Sequence, residues 1–128
     1  MEILFKGKCK ETEEWLISKS IKQTDCSEIY LLSDKWVEII PETLGLYTNF
    51  KDKNGEKIFT GDIVCGYGSK DWHKGVVTYD DVLGTFYIDT SKFEPSQYNY
   101  NTDNMLGDWK ISGNIYDRHP DLKEETYD

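Results

Sequence analysis

Apolar residues along this chain fall in short runs broken by polar turn residues, a pattern that predicts strands almost throughout. Trp15-Leu16-Ile17, Ile29-Tyr30-Leu31-Leu32 and Trp36-Val37-Glu38-Ile39-Ile40 are three early strands. Before them, Lys6, Lys8 and Lys10 alternate with Phe5, Gly7 and Cys9, so on a strand the three lysines share one face. Such a face is either a small phosphate-contacting ridge or, as short charged runs usually are, a solvated surface.

The middle of the chain carries the clearest local signal. Asp52-Lys53-Asn54-Gly55 stands between Tyr47-Thr48 and Ile58-Phe59, and Asn and Gly both tolerate positive φ, which predicts a tight hairpin turn. Gly61 precedes Asp62-Ile63-Val64, where a bend or bulge is expected before the strand resumes. Ile63 to Tyr67 and Gly75 to Tyr79 read as two further strands, linked by a loop that contains Trp72 and His73. Asp80-Asp81-Val82-Leu83-Gly84 then turns the chain into Thr85-Phe86-Tyr87-Ile88 as an antiparallel neighbour. The tract 91–104 is polar, turn-rich and without apolar periodicity, and is predicted to be a surface loop. Trp109-Lys110-Ile111 and Asn114-Ile115-Tyr116 supply the last strand, and Pro120 to Glu125 a turn or two of helix with Pro120 at its first position. The fold class predicted is all-β and mainly antiparallel: a small SH3-like barrel or barrel-like sheet with additional N-terminal strands and a short C-terminal helix. The comparison with SH3-like barrels rests on the Gly-Asp-Ile-Val strand, the loop and the Gly-Val-Val strand, and is analogy.

Three blocks of residues point to a family. They are Phe5-Lys6-Gly7-Lys8 with Glu14-Trp15-Leu16, the long stretch Pro41 to Val64, and Ile111-Ser112-Gly113-Asn114-Ile115-Tyr116-Asp117 with Pro120-Asp121-Leu122. In that order they resemble the YopX family, small proteins encoded mainly by phages and prophages of Gram-positive bacteria. Cys65 to Leu106 matches only loosely, and Leu46 stands where that family often has Gln. The resemblance implies a homo-oligomer of several copies and supplies no catalytic residues.

Length and composition bound the remaining possibilities. A chain of 128 residues suits one domain, 1–128, with one core. Its aromatic content of 14% favours strands. No apolar run approaches the roughly 20 residues of a membrane-spanning helix, and the N-terminus lacks a signal peptide's apolar region, so a cytoplasmic protein is expected. Cys9, Cys26 and Cys65 are odd in number and widely spaced, which suggests small apolar residues in a reducing compartment and neither a disulfide framework nor a zinc knuckle. A net charge of −9 makes nucleic acid an unfavourable partner. The acidity leans to the C-terminal side: from Cys65 onward there are 12 acidic and six basic residues.

Candidate chemistry is sparse. Gly61 and Gly66 have the spacing of a phosphate-binding loop, but Tyr67 stands where that loop requires Lys. His73 beside Asp71 could form a base oriented by a carboxylate, the core of a hydrolase reading. His119 with Asp117 and Asp121 offers metal-ligand chemistry but lacks a third firm ligand, so neither a metal nor a cofactor is expected. Trp15, Trp36 and Trp109 lie in strand patterns and are assigned to the core. Trp72, in a polar loop, is the first choice for a contact residue, with His73, Tyr98 and Tyr100 as further binding candidates. The function expected is that of a non-catalytic phage or prophage accessory protein acting by association with itself or with a host or phage protein. The alternatives are an acidic decoy of a host nucleic-acid enzyme, which would present carboxylates as a phosphate array, and a hydrolase centred on His73 and Asp71.

Overall fold

The computed structural model describes residues 1–68, 71–93, 100–101 and 109–117, with the backbone alone for Tyr67, Gly68, Asp71, Trp72, Tyr100 and Asn101. The described residues are built of mostly antiparallel β-structure, and one sheet curls as a half-barrel. The chain divides into two compact units, Met1–Asn49 and Phe50–Asp128.

In the first unit, β1 (Phe5–Lys8) pairs with β2 (Trp15–Ser18) and, through Phe5 and Lys6, with the start of β6 (Gly45–Lys51). A second, three-stranded sheet consists of β3 (Ile21–Gln23), β4 (Ile29–Leu32) and β5 (Trp36–Ile39) in that order. The alternation in β4 and β5 sends Leu31 and Ile39 inward, where both are wholly buried, and Tyr30, Leu32, Trp36 and Glu38 to the other face. After β5 a single 3-10 turn, Pro41–Thr43, interrupts the extended chain, which resumes as β6 in the same direction along the β1 segment. Pro41 presets φ at its first position, and the Thr43 hydroxyl donates to the Ile40 carbonyl at 2.6 Å while accepting the Lys8 N–H at 2.9 Å.

In the second unit, β7 (Lys57–Phe59) is followed by a five-stranded sheet in the order β11 (Tyr100–Asn101), β10 (Thr85–Asp89), β9 (Asp71–Asp80), β8 (Asp62–Gly68), β12 (Lys110–Asn114). Its core is Ile58, Val64, Val77, Ile88 and Trp109, with Phe50 and Ile111 packed against it. The turn at Asp52–Gly55 forms as expected, but only Gly55 uses positive φ (+83°) and Asn54 does not. The Asp52 carboxylate supplies the rest: one oxygen accepts the N–H groups of Asn54 and Glu56, and the other accepts that of Ile111 on β12. Gly61, at φ +94°, makes the expected bend, whereas the bulge lies in β12, where Ser112 is the extra residue opposite Ile63 and Val64.

Several sequence expectations are corrected. Trp72 and His73 are not in a loop but in β9, opposite Tyr67 and Gly66, because the β8–β9 ladder runs on to Gly68 and Asp71. Tyr100–Asn101, inside the predicted loop, forms β11 against Tyr87 and Ile88; an edge strand of two residues leaves no periodicity to read. The short β3, with one apolar residue, was likewise hidden from pattern reading and is held by its ladder to β4. The lysine face is solvated only in part: Lys10 is exposed and Lys6 half-buried. Lys8 is buried, and the ammonium groups of Lys6 and Lys8 lie 4.7 and 5.7 Å from the centroid of the Trp15 ring. Trp109 is fully buried as assigned, but Trp36 is 38% exposed. The predicted helix at Pro120–Glu125 lies outside the described residues.

Candidate functional site

Of the binding candidates, His73 is half-buried in β9, and Trp72 and Tyr100 are placed as backbone positions in β9 and β11. Tyr98 lies outside the described residues, as do His119 and Asp121. Asp71 and His73 are two positions apart on one strand. Among the described residues, no group of three His, Cys, Asp or Glu side chains could hold a metal ion. The residues that sequence reasoning selected are therefore not gathered into one described site, and two other places draw notice.

The first is a cleft of about 580 Å³ in the first unit, between the β1–β2 connection (Cys9 to Thr12) and the start of β5 (Lys35 to Glu38). Its geometry follows from an interrupted ladder. The Lys10 N–H donates to the Glu38 carbonyl at 3.0 Å and the Ile40 N–H to the Lys8 carbonyl at 2.9 Å, bracketing a single bridge between Cys9 and Ile39. The chain then turns away from β5, with the Glu13 N–H bonded back to the Cys9 carbonyl and Glu13 held at φ +63°. Across the opening, Lys10 Nζ reaches Glu38 Oε2 at 3.2 Å. The indole of Trp36 carries the Lys22 ammonium 4.7 Å from its centroid, and the same ammonium lies 5.3 Å from the Tyr30 ring.

Electrostatics in and beside this cleft are local. Hydrogen bonds from the Thr12 side chain and backbone hold the Cys9 thiol below its ordinary value, against a smaller opposing push from burial and the Glu11 carboxylate. Desolvation, then the carboxylates of Glu28 and Glu38, push the Tyr30 phenol up. The cleft therefore offers a thiol, an ion pair and an indole, but both histidines of the chain, His73 and His119, belong to the second unit. The signal for Trp36 was present in the sequence: it follows Ser33-Asp34-Lys35, so it opens its strand at a turn and not in the middle of a sheet.

The second place is the tip of the β9–β10 hairpin. Val82 is 87% and Leu83 74% exposed. They are held out by a fixed turn: Asp80 Oδ1 accepts the Val82 N–H at 2.9 Å and the Leu83 N–H at 3.2 Å, and the Gly84 N–H donates to the Asp80 carbonyl at 2.8 Å. At its base, Tyr79 and Phe86 face each other across the two strands with ring centroids 5.2 Å apart, and Tyr79 is itself 46% exposed. Two aliphatic residues inside an Asp-to-Gly turn were legible in the sequence as an anomaly, since turn positions are ordinarily polar.

The family model described as YopX protein matches residues 5–123, nearly the whole chain and all three of the blocks quoted above. No curated protein matches the chain.

Proposed function

The chain belongs to the YopX family, and from that premise we propose that it is a non-catalytic phage or prophage accessory protein that works by protein association, its own copies first. What supports this reading is the tip of the β9–β10 hairpin. Exposed Val82 and Leu83 bury little by folding, and a carboxylate-braced turn keeps them extended from the sheet. A turn whose backbone is already fixed loses little further backbone entropy when a partner covers its side chains, which favours an association anchor. Tyr79, at the base of the same hairpin and packed on Phe86, is a further half-exposed aromatic residue.

Size-exclusion chromatography with light scattering across a concentration series tests the proposal. A mass above that of one 14.9 kDa chain, reduced when Val82 and Leu83 are both changed to Ser, is the expected result. A clean monomer at every concentration would overturn self-assembly.

A further inference from the structure

Hydrogen-bond parity along β5 exposes a second binding element, in the other unit and independent of the hairpin tip. On β4, the Leu32 N–H donates to the Ser20 carbonyl and the Leu32 carbonyl accepts the Ser18 hydroxyl, so the peptide groups of Leu32 point away from β5. The Ser33 N–H, by contrast, donates to the Lys35 carbonyl. Odd residues of β5 thus bond to β4, and even residues face the opposite edge. Glu38 and Ile40 confirm this, since their main chains meet Lys10 and Lys8 there. Trp36, paired with Leu32 across a position without ladder bonds, turns its own N–H and C=O to that same edge. The strand that would continue the ladder has already left, because the chain after Lys10 turns back on Cys9. In its place is the cleft.

We propose that this edge receives a short, extended, acidic peptide segment, which pairs with the main chain of Trp36 as one further strand and continues the Cys9–Ile39 bridge. The occupant's backbone is specified by the donor and acceptor that Trp36 presents along a strand edge, the arrangement by which sheets capture extended peptides. Its charge is specified by the side chains around the opening. Lys10 and Lys35 line the cleft with Glu11 and Glu38, and the Lys22 ammonium stands over the Trp36 ring; with Lys10 and Glu38 paired to each other, the ammonium groups of Lys35 and Lys22 face the single carboxylate of Glu11. The half-exposed indole of Trp36 gives the peptide an apolar surface beside those cations. A nucleic acid would also bring negative charge but has no peptide strand edge to pair with the main chain of Trp36.

Selection of phage-displayed random heptapeptides on the full-length protein, followed by calorimetry with N-methylated versions of an enriched peptide, tests this. Enriched peptides are expected to carry Asp or Glu. N-methylation at alternate positions should weaken binding about tenfold, since each blocked position removes a main-chain donor, while the intervening positions tolerate it. The amide resonance of Trp36 should shift on titration, and Lys35→Glu, an exposed change that leaves the fold intact, should also weaken binding about tenfold. Absence of enrichment, indifference to N-methylation at every position, or an unmoved Trp36 amide would each overturn the proposal. So would a Trp36 shift produced by raising the protein concentration alone, which would assign the edge to a second copy of the chain. Because Val82→Ser with Leu83→Ser leaves the first unit unchanged, that variant should still bind the peptide, which separates this outcome from the association reading.

Discussion

Gly66 on β8 lies directly against the indole of Trp109: a Cβ built at Gly66 would stand 2.5 Å from Cγ of that ring. Trp109 is wholly buried in the core of the second unit, so the ring has nowhere to retreat. Gly66→Ala is expected to destabilise the protein by about 1–3 kcal/mol through overpacking. Urea denaturation measures it. A double-mutant cycle with Trp109→Leu should show strong non-additivity, because the smaller side chain frees the space that the new methyl needs. Additive losses would mean that the two residues are not in contact.

Gly55 tests the backbone alone. A Cβ added there meets nothing within 4 Å, yet the residue sits at φ +83°. Strain of that kind costs of order 1–3 kcal/mol for a β-branched residue and less for Asn, which tolerates the left-handed region. Thermal melts are therefore expected to fall in the order Gly55→Asn, Gly55→Ala, Gly55→Val, with Val lowest. Equal melts for Asn and Val would contradict a conformational origin.

These two glycines show where the sequence was readable. Gly55 follows Asn54 between two apolar runs, and that local chemistry predicts a turn without knowledge of any distant residue. Gly66 offered no such cue, because its reason is Trp109, 43 positions away, and packing across a sheet leaves no mark on neighbouring residues. The same division holds for the candidate sites. Strand identity in β4 and β5 was legible from Ile29–Leu32 and Trp36–Ile40. What was not legible is that the chain leaves β5 after one bridge, which depends on a positive-φ Glu13 and a bond back to Cys9 that no periodicity encodes. Trp72 and His73 were misplaced into a loop because polar residues at the far end of a hairpin look alike whether or not the ladder continues through them.

Asp52 should make the second unit sensitive to acid. Burial pushes its carboxyl up, but the N–H groups of Ile111, Glu56 and Asn54 outweigh that and hold it below its ordinary value of 3.8. A carboxyl whose folded value is depressed contributes stability that is fully present above the unfolded-chain value and is lost as pH falls through the folded one. Stability is thus expected to decline below about pH 4, and Asp52→Asn should be less stable than wild type at pH 7 but approach it at pH 3. Urea midpoints at the two pH values give the comparison. An unchanged gap would show that the Asp52 charge contributes nothing.

Cys9 provides a chemical readout of the cleft. Its thiol is held below its ordinary value chiefly by the Thr12 side chain, with the Thr12 and Glu11 backbone assisting against burial and the Glu11 charge. Since the thiolate is the species that alkylates, the rate of iodoacetamide labelling at Cys9, followed by peptide mass spectrometry, should reach half its plateau below pH 9.0, the ordinary value for the group. Removing the Thr12 hydroxyl with Thr12→Val deletes the largest contribution and should move that midpoint upward, while Glu11→Gln, which removes a repelling charge, should move it down. Thr12 is exposed, and its hydroxyl otherwise accepts only the Glu14 N–H at 3.2 Å, so the substitution should leave the fold intact. If Thr12→Val leaves the midpoint where it was, the hydroxyl does not hold the thiolate, and the turn from Cys9 to Thr12 is not the arrangement that sets its reactivity.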